Sequence, residues 1–475
     1  MTENGRYSCT IPRLLRMLAM HSERNEHPNI MLFTSSGFLR WIGIALLGLL
    51  LRLIKMRHLY TFIFYCILPL VLLRLFWRGF KVPGYWSRWK ERFGFYDARN
   101  PANNLIWFHC VSVGEAEAAF PLIKLMQTQH PGLRFLVTTI TPPGSARVRA
   151  VLGNQVEHVY LPYDLPFILR RFFGYFQPKI AVFMEKEIWP NLFEMCSRRE
   201  IPLFVINARL SEYSAPAYKK IPGLIKPAFR CVSRIATQTE EDKMRFVEIG
   251  AMPEQITVLG NTKFDVAIDE HVIAAGRELK QQEFAGRFVW ILASTHQGEE
   301  ALLLPVFQQL KKHIPEMLLM IAPRHPERFR QVKNLCEEYG LAVVMRSEGS
   351  SISASTDVYV ADSMGELKML YAAADVAFVG GSMVPVGGHN VLEPALVGVP
   401  VLFGPEMFNF KEIAERILAE QAALQCEDSE SVVKAVLRIK EDADFRNKMT
   451  AKAKAFVLRN QGATRRIADM LEEAL

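Results

Sequence analysis

A carboxylate stands directly behind a glycine where a helix should begin: Glu115, in WFHCVSVGEAEAAFPLIKLM (Trp107–Met126). A short apolar run precedes it and an amphipathic pattern follows, which places it at a strand-to-helix junction. Ser112 and Glu115 have the spacing of a helix capping box, and a first-turn glutamate also complements the helix dipole. The same position, at the end of a buried strand, suits a general base aimed at a bound hydroxyl. A second pair of carboxylates, Glu185 and Glu187 in MEKEIWPN, follows another apolar run, IAVFM. One of them is a candidate for acceptor binding or proton transfer. A charged loop that seats Trp189 in the core is the competing reading.

A different chemistry is spelled out further along. In FVGGSMVPVGGHNVLEPALVGVPVLFGP (Phe378–Pro405) an apolar strand ends in Gly380-Gly381, Gly387-Gly388 follow, and a helix opens near His389-Asn390 with Glu393 in its first turn. Glycines let the backbone approach a ligand, and unpaired N–H groups at a helix start attract anions. Glu393 can accept both hydroxyls of a ribose, or simply favour its helix. Three more elements share the logic of polar groups behind an apolar run. Ser363-Met364-Gly365-Glu366 precedes a helix, so that the amides of Met364, Gly365 and Glu366 could hold a phosphate or a base edge; taken alone, this reads equally as a capped helix. Arg324 and His325 follow LLMIAP, and Ser294, Thr295 and His296 follow FVWILA. A cation at a strand end suits a phosphate or a sugar carboxylate.

These groups must be positioned by the elements around them. From residue 105, apolar runs of four to six residues (LIWFHC, RFLVTT, HVYL, IAVFM, LFVIN, RIATQ) alternate with helical patterns, pause between Gly260 and Arg287, and restart with FVWILAS, LLMIAP, LAVVMRS, DVYVA, VAFVGG and PVLFG. Runs without polar alternation suit parallel strands buried on both faces, and strand–helix alternation builds an open sheet covered by helices. The expected fold is therefore α/β, with two Rossmann-like parallel-sheet halves facing each other across a cleft and ligands at the carboxyl ends of the strands. From about 428 the chain reads as helical throughout, and RSEGSSISASTD (Arg346–Asp357) reads as a mobile loop. There is no G-x-x-x-x-G-K-[ST], and no G-x-G-x-x-G follows the first strand of either half, which disfavours a P-loop NTPase and a nicotinamide or flavin site.

Charge and hydropathy single out the N-terminus. The formal net charge is +8, but residues 1–100 hold 15 Lys and Arg against 5 acidic residues, while the other 375 hold 42 against 44. A nucleic-acid footprint would lie on a folded face instead. Leu59–Trp77 (LYTFIFYCILPLVLLRLFW) approaches the ~20 apolar residues that a bilayer core requires. Arg78, Lys81, Arg88, Lys90 and Arg92 follow, with Tyr85, Trp86 and Trp89 among them, as expected at the cytoplasmic interface. We read 59–77 as an uncleaved membrane anchor; an amphipathic helix lying on the cytoplasmic leaflet is the alternative. Trp41–Leu51 is also apolar but short, and Met56 is a candidate initiator. The seven cysteines are scattered, with no C-x-x-C pair and no Cys/His metal spacing, which argues against a disulfide framework and a zinc site and for a reducing compartment.

Taken in order, VSVGE, TTITPPGS, MEKEIWPN, NARLS, GNTKFD, STHQGEE, APRHPERF, DSMGEL and GGHNVLEPA resemble the bacterial 3-deoxy-D-manno-octulosonic acid (Kdo) transferases of lipid A assembly, glycosyltransferases of the GT-B class. The similarity runs from about Met56 to the C-terminus. It implies CMP-Kdo as donor, the tetra-acylated lipid A precursor (lipid IVA) as acceptor, and inversion without a metal or other cofactor. It implies Glu115 as the catalytic base. It places donor contacts at Pro323, Arg324, Met364, Gly365, Glu366, Asn390, Val391, Leu392 and Glu393. It also implies work at the cytoplasmic face of the inner membrane, in contact with its lipid and with no nucleic acid. The expected organisation is an N-terminal extension (1–55), a membrane anchor with a basic and aromatic collar (56–95), an acceptor domain (96–275), and a donor domain carrying the terminal helices (276–475). Two rival readings are a membrane-associated GT-B enzyme using another nucleotide sugar and a non-enzymatic, membrane-tethered binding protein.

Overall fold

A computed structural model describes residues 56–96, 104–349 and 351–475. The readings made for 1–55, including the short apolar run 41–51, lie outside these residues. The described chain forms two compact units: Val266–Gln461 is one, and the residues up to Asp265 together with Gly462–Leu475 are the other.

In the first unit, β1 (Leu105–His109), β2 (Arg134–Thr139), β3 (Glu157–Tyr160), β4 (Ile180–Met184), β5 (Leu203–Ala208), β6 (Arg234–Thr237) and β7 (Ile256–Val258) form one parallel sheet in the order β3-β2-β1-β4-β5-β6-β7. Successive side chains of a strand point to opposite faces. Leu105 and Trp107 thus enter one core with Phe172, Phe183 and Phe193, while Ile106 and Phe108 enter another with Leu122 and Ile123. All five residues of β1 are buried, which is why the run shows no polar alternation. The second unit repeats the plan: β8 (Val289–Thr295), β9 (Leu318–Pro323), β10 (Val343–Met345), β11 (Val358–Val360), β12 (Val376–Val379), β13 (Val401–Phe403) and β14 (Leu424–Gln425), ordered β10-β11-β9-β8-β12-β13-β14. Trp290 and Leu292 face one core, and Val289, Ile291 and Ala293 the other.

In each sheet the strand order reverses once beside the first strand. The reversal falls between β1 and β4 in the first unit and between β8 and β12 in the second. At such a switch point the connections on either side run to opposite faces and leave a crevice beyond the carboxyl ends of the strands.

The terminal segment differs from expectation. It is helical from Ser429, but only Ser429–Glu441 and Ala443–Asn460 stay with the second unit. The last helix, Ala463–Glu472, buries Ile467, Ala468 and Leu471 in the core beneath β1 and β2 of the first. Asp265 fixes its start, accepting from the N–H of Gly462 and of Thr464, each at 2.5 Å. Position 275, where the sequence placed the domain boundary, lies inside the helix Glu270–Gln282. An apolar stripe goes where a matching face is free, and adjacency in sequence does not decide that.

The helix Met56–Lys81 is long and apolar enough to cross a membrane, with a mean hydropathy of 2.1 over its best window. Tyr60 is buried in the first unit's core, whereas Phe62, Leu70, Trp77 and Phe80 are each at least 64% exposed. The segment 346–357, read as a mobile loop, is tied down at both ends. Ser347 N–H donates to Asp362 at 2.8 Å, and Arg287 reaches the carbonyl of Thr356 at 2.8 Å.

Candidate active site

Glu115 sits in the first turn of the helix Val113–Gln129, directly beyond the end of β1. Ser112 does cap this helix, its hydroxyl accepting from the Glu115 N–H at 3.4 Å. The reciprocal half of a capping box is missing, because the Glu115 side chain turns back to accept from the Val111 N–H at 2.6 Å through Oε2. Only a long contact from the Ser112 hydroxyl, 3.4 Å, reaches Oε1. One carboxylate oxygen is therefore fixed and the other is nearly unengaged. Burial pushes the Glu115 carboxyl well above its ordinary pKa, and the negative charges of Glu185 and Glu187 push the same way against these two hydrogen bonds.

Those two carboxylates follow β4, the strand on the far side of the switch point. Glu185 has a left-handed backbone, φ 58°, held by a bond from its N–H to the Ile206 carbonyl at 2.9 Å, and its carboxylate lies 3.7 Å from Arg209. Glu187 is buried. Non-glycine residues in this backbone region are strained and gather at functional sites; Asn207 in β5 (φ 49°) and Ser294 in β8 (φ 59°) are two more. Other quoted motifs prove to be structural. Asn207 accepts from the Thr262 N–H at 3.1 Å, and Gln238 from the Asn261 amide at 2.8 Å, so NARLS and GNTKFD lock the ends of β5 and β6 to the turn that carries Asp265.

In the second unit the four polar elements follow β11, β9, β8 and β12, which are consecutive neighbours in the sheet. Pro323 closes β9 and is buried; Arg324 is exposed, its N–H bound to the Thr295 carbonyl at 3.1 Å. His296 and His389 meet across the switch point with Nε2 atoms 2.8 Å apart, and the His325 ring stands edge-on to His296 at 5.3 Å. Burial, with the nearby cationic side chain of Arg324 and the other histidines, lowers His296 to about 4 and His389 to about 3. Both rings are therefore neutral at physiological pH, and an incoming anion would favour their protonation.

Met364 is exposed and Gly365 takes a positive φ of 88°. Glu366 is engaged by Arg346 in a two-point pair at 2.8 and 2.9 Å, so this turn has backbone amides to offer a ligand, not its carboxylate. Val391 and Leu392 are fully buried, which leaves only their backbones for any donor contact. Asn390 accepts from the Leu392 N–H at 3.0 Å, and Glu393 is half-buried. The glycine pairs have packing reasons as well: a side chain on Gly387 or Gly388 would collide with Phe408, Asn409 or Met407.

The sequence reading assigned no role to Glu299, which organises this edge. Fully buried, it accepts four backbone N–H bonds: Gly381 at 2.7 Å and His296 at 2.9 Å on Oε2, Ser382 and Met383 at 3.0 Å on Oε1. It ties the end of β8 to the glycine loop after β12. In STHQGEE it looks like a first-turn glutamate, and only the pairing of β8 with β12 reveals the partner loop. Glu300 beside it is buried against Arg328 at 2.7 Å. No group of three or more metal-ligating side chains occurs among the described residues. A hollow of about 650 Å³ lined by residues such as Lys312 and Leu341 lies at the amino-terminal edge of the second sheet, away from these groups.

Two doubly wound parallel sheets, each gathering polar groups at its switch point, define the GT-B fold class. A glycosyltransferase from Rickettsia africae shares this fold at 12% identity, with a TM-score of 0.51 over 79% of this chain and 99% of that one. Residues 87–266 match the family profile described as 3-deoxy-D-manno-octulosonic-acid transferase (kdotransferase). The 3-deoxy-D-manno-octulosonic acid transferase of Haemophilus influenzae is 38% identical over 88% of this chain and 99% of its own length; that of Bordetella pertussis is 35% identical over the same shares. The chain belongs to this family.

Proposed function

We propose that the protein transfers Kdo from CMP-Kdo to the tetra-acylated lipid A precursor, with inversion at the anomeric carbon and Glu115 as general base. The observation that carries the base assignment is the Glu115 carboxylate at the first unit's switch point, one oxygen held by Val111 and the other almost unengaged. A primary sugar hydroxyl is a poor nucleophile at neutral pH. As its oxygen attacks the anomeric carbon, its proton passes to Glu115, and the bond to the CMP phosphate breaks with the electron pair leaving on CMP. A carboxyl raised by burial and by two neighbouring carboxylates is a stronger base than an exposed one.

The second unit supplies the donor contacts. Arg324 is exposed beside His296, His325 and His389 and meets the charge that develops on the leaving phosphate. The amides of Met364, Gly365 and Glu366 and the segment Asn390–Glu393 hold the rest of CMP, with Glu393 on the ribose. Family membership supports the donor, and the apolar helix Met56–Lys81 supports work at the inner membrane, where the acceptor resides.

The deciding experiment incubates purified protein with CMP-Kdo and the tetra-acylated acceptor and reads product masses. One or more added Kdo residues are expected. Glu115→Gln should lower turnover by about 10²–10⁴-fold, the usual worth of a positioned base, while CMP binding and thermal stability stay near wild type. Near-normal turnover in that variant removes the base assignment. Stabilisation by UDP or GDP in place of CMP moves the donor to another nucleotide sugar.

A further inference from the structure

We propose that the helix Met56–Lys81 lies in one leaflet of an anionic membrane instead of crossing it, because the first unit holds both of its ends on the same side. The inference rests on the membrane reading above and fixes its geometry. At the start of the helix, the Arg57 guanidinium donates to the Asn191 side chain at 3.1 Å and lies 3.5 Å from Glu194, and the Thr61 hydroxyl donates to Asn191 at 3.0 Å. Tyr60 is buried in the core, and Tyr65 stacks on Phe167 with ring centroids 6.1 Å apart.

At the other end the chain folds straight back. Trp86 donates its indole N–H to the Phe76 carbonyl at 2.9 Å, across Gly79, which is buried under the ring. The next residues dock on the same unit. Gly84 packs on Pro142, Arg88 donates to the Ser145 hydroxyl at 2.9 Å and to the His158 carbonyl at 2.8 Å, and Arg92 donates to the Ile140 carbonyl at 2.7 Å.

A helix of 26 residues is ~39 Å long, and a bilayer's hydrocarbon core is ~30 Å thick. Crossing would set the two ends at opposite membrane faces. Here both ends are bonded to polar groups of one folded unit, and Glu194, Ser145 and His158 do not traverse hydrocarbon with it. Lipid is the occupant that the exposed side fits. Phe62, Leu70, Leu73, Phe76, Trp77 and Phe80 are each about half exposed or more. Residues 56–96 carry seven Lys and Arg against one acidic residue, Glu91, and that one is paired with Arg88 at 2.6 Å. An apolar face rimmed by basic residues and tryptophans is the pattern of a helix lying at an anionic interface.

The placement also bears on the reaction. The helix is anchored at the starts of the helices that follow β2 and β4, the strands on either side of β1, whose own following helix carries Glu115. A lipid surface along this helix presents an embedded acceptor beside the proposed base.

The test places single cysteines at the exposed positions His58 and Lys81, near the two ends of the helix, in the full chain with Cys9→Ser and Cys66→Ser. A membrane-impermeant maleimide is applied to spheroplasts and to inverted inner-membrane vesicles, with the parent lacking both added cysteines as the blank. Retained Kdo transfer shows that the variants fold. The expected result is labelling of both His58→Cys and Lys81→Cys in inverted vesicles, as for Gly132→Cys on the folded unit, with labelling lost in spheroplasts. Labelling of His58→Cys from outside, with Lys81→Cys labelled only from inside, overturns the proposal. Recovery of the whole protein in the soluble fraction removes the membrane reading itself, a distinguishable outcome that takes this inference with it.

Discussion

Replacing Glu299 by glutamine tests whether one buried carboxylate holds the donor edge together. Each of its oxygens accepts two backbone N–H groups, one from a buried bond (Gly381 or Ser382) and one from a part-buried bond (His296 or Met383). Glutamine keeps one oxygen and turns the other into a donor. Whichever way its amide sits, one buried and one part-buried N–H then face an N–H group. A buried donor left without an acceptor costs ~1–3 kcal/mol, and the part-buried one less because water can reach it, for a total of about 2–4 kcal/mol. For a unit of this size each kcal/mol lowers the melting temperature by ~2–4 °C, so Glu299→Gln should melt about 5–15 °C lower. The assay is a thermal scan of the detergent-solubilised full chain with and without CMP. The loop from Gly381 to Met383 loosens with the anchor, so the stabilisation given by CMP should shrink too. A melting temperature within error of wild type, with the CMP-induced shift intact, would refute the reasoning.

Because Glu115 is raised by burial and by the charges of Glu185 and Glu187, the acid limb of the pH–rate profile should lie above the range of an ordinary glutamate. Activity is lost as the pH falls and the base takes up its proton. Glu185→Gln removes one negative neighbour and should move that limb to lower pH, whatever it does to the maximal rate; a limb that stays in place would mean another group titrates. Asp265→Asn deprives the N–H of Gly462 or of Thr464 of its acceptor and should cost about 2 kcal/mol, the scale of a charge-assisted bond. Hydrogen exchange would show faster exchange confined to Ala463–Glu472, and unchanged protection there would contradict the anchoring role.

The sequence by itself determined the elements and the inventory of chemistry. Unalternating runs such as LIWFH and VWILAST become strands buried on both faces, because a parallel sheet covered by helices offers no wet side. The polar groups at their ends were legible for the same reason, since a buried strand can show its chemistry only where it stops. Glu115, Arg324 and Glu393 could therefore be picked out one by one. What only the tertiary structure decided is which strand ends are neighbours. Placing β1 beside β4 brings Glu185 and Glu187 to bear on Glu115, and placing β8 beside β12 joins His296 to His389 and gives Glu299 the glycine loop as its partner. Long-range pairing likewise took Glu366 for Arg346, sent the last helix to the first unit, and brought both ends of the apolar helix back to one body. Spacing along a chain records the period of each element. The order of strands in a sheet depends on which apolar faces fit together, and that is settled only when all of them are present.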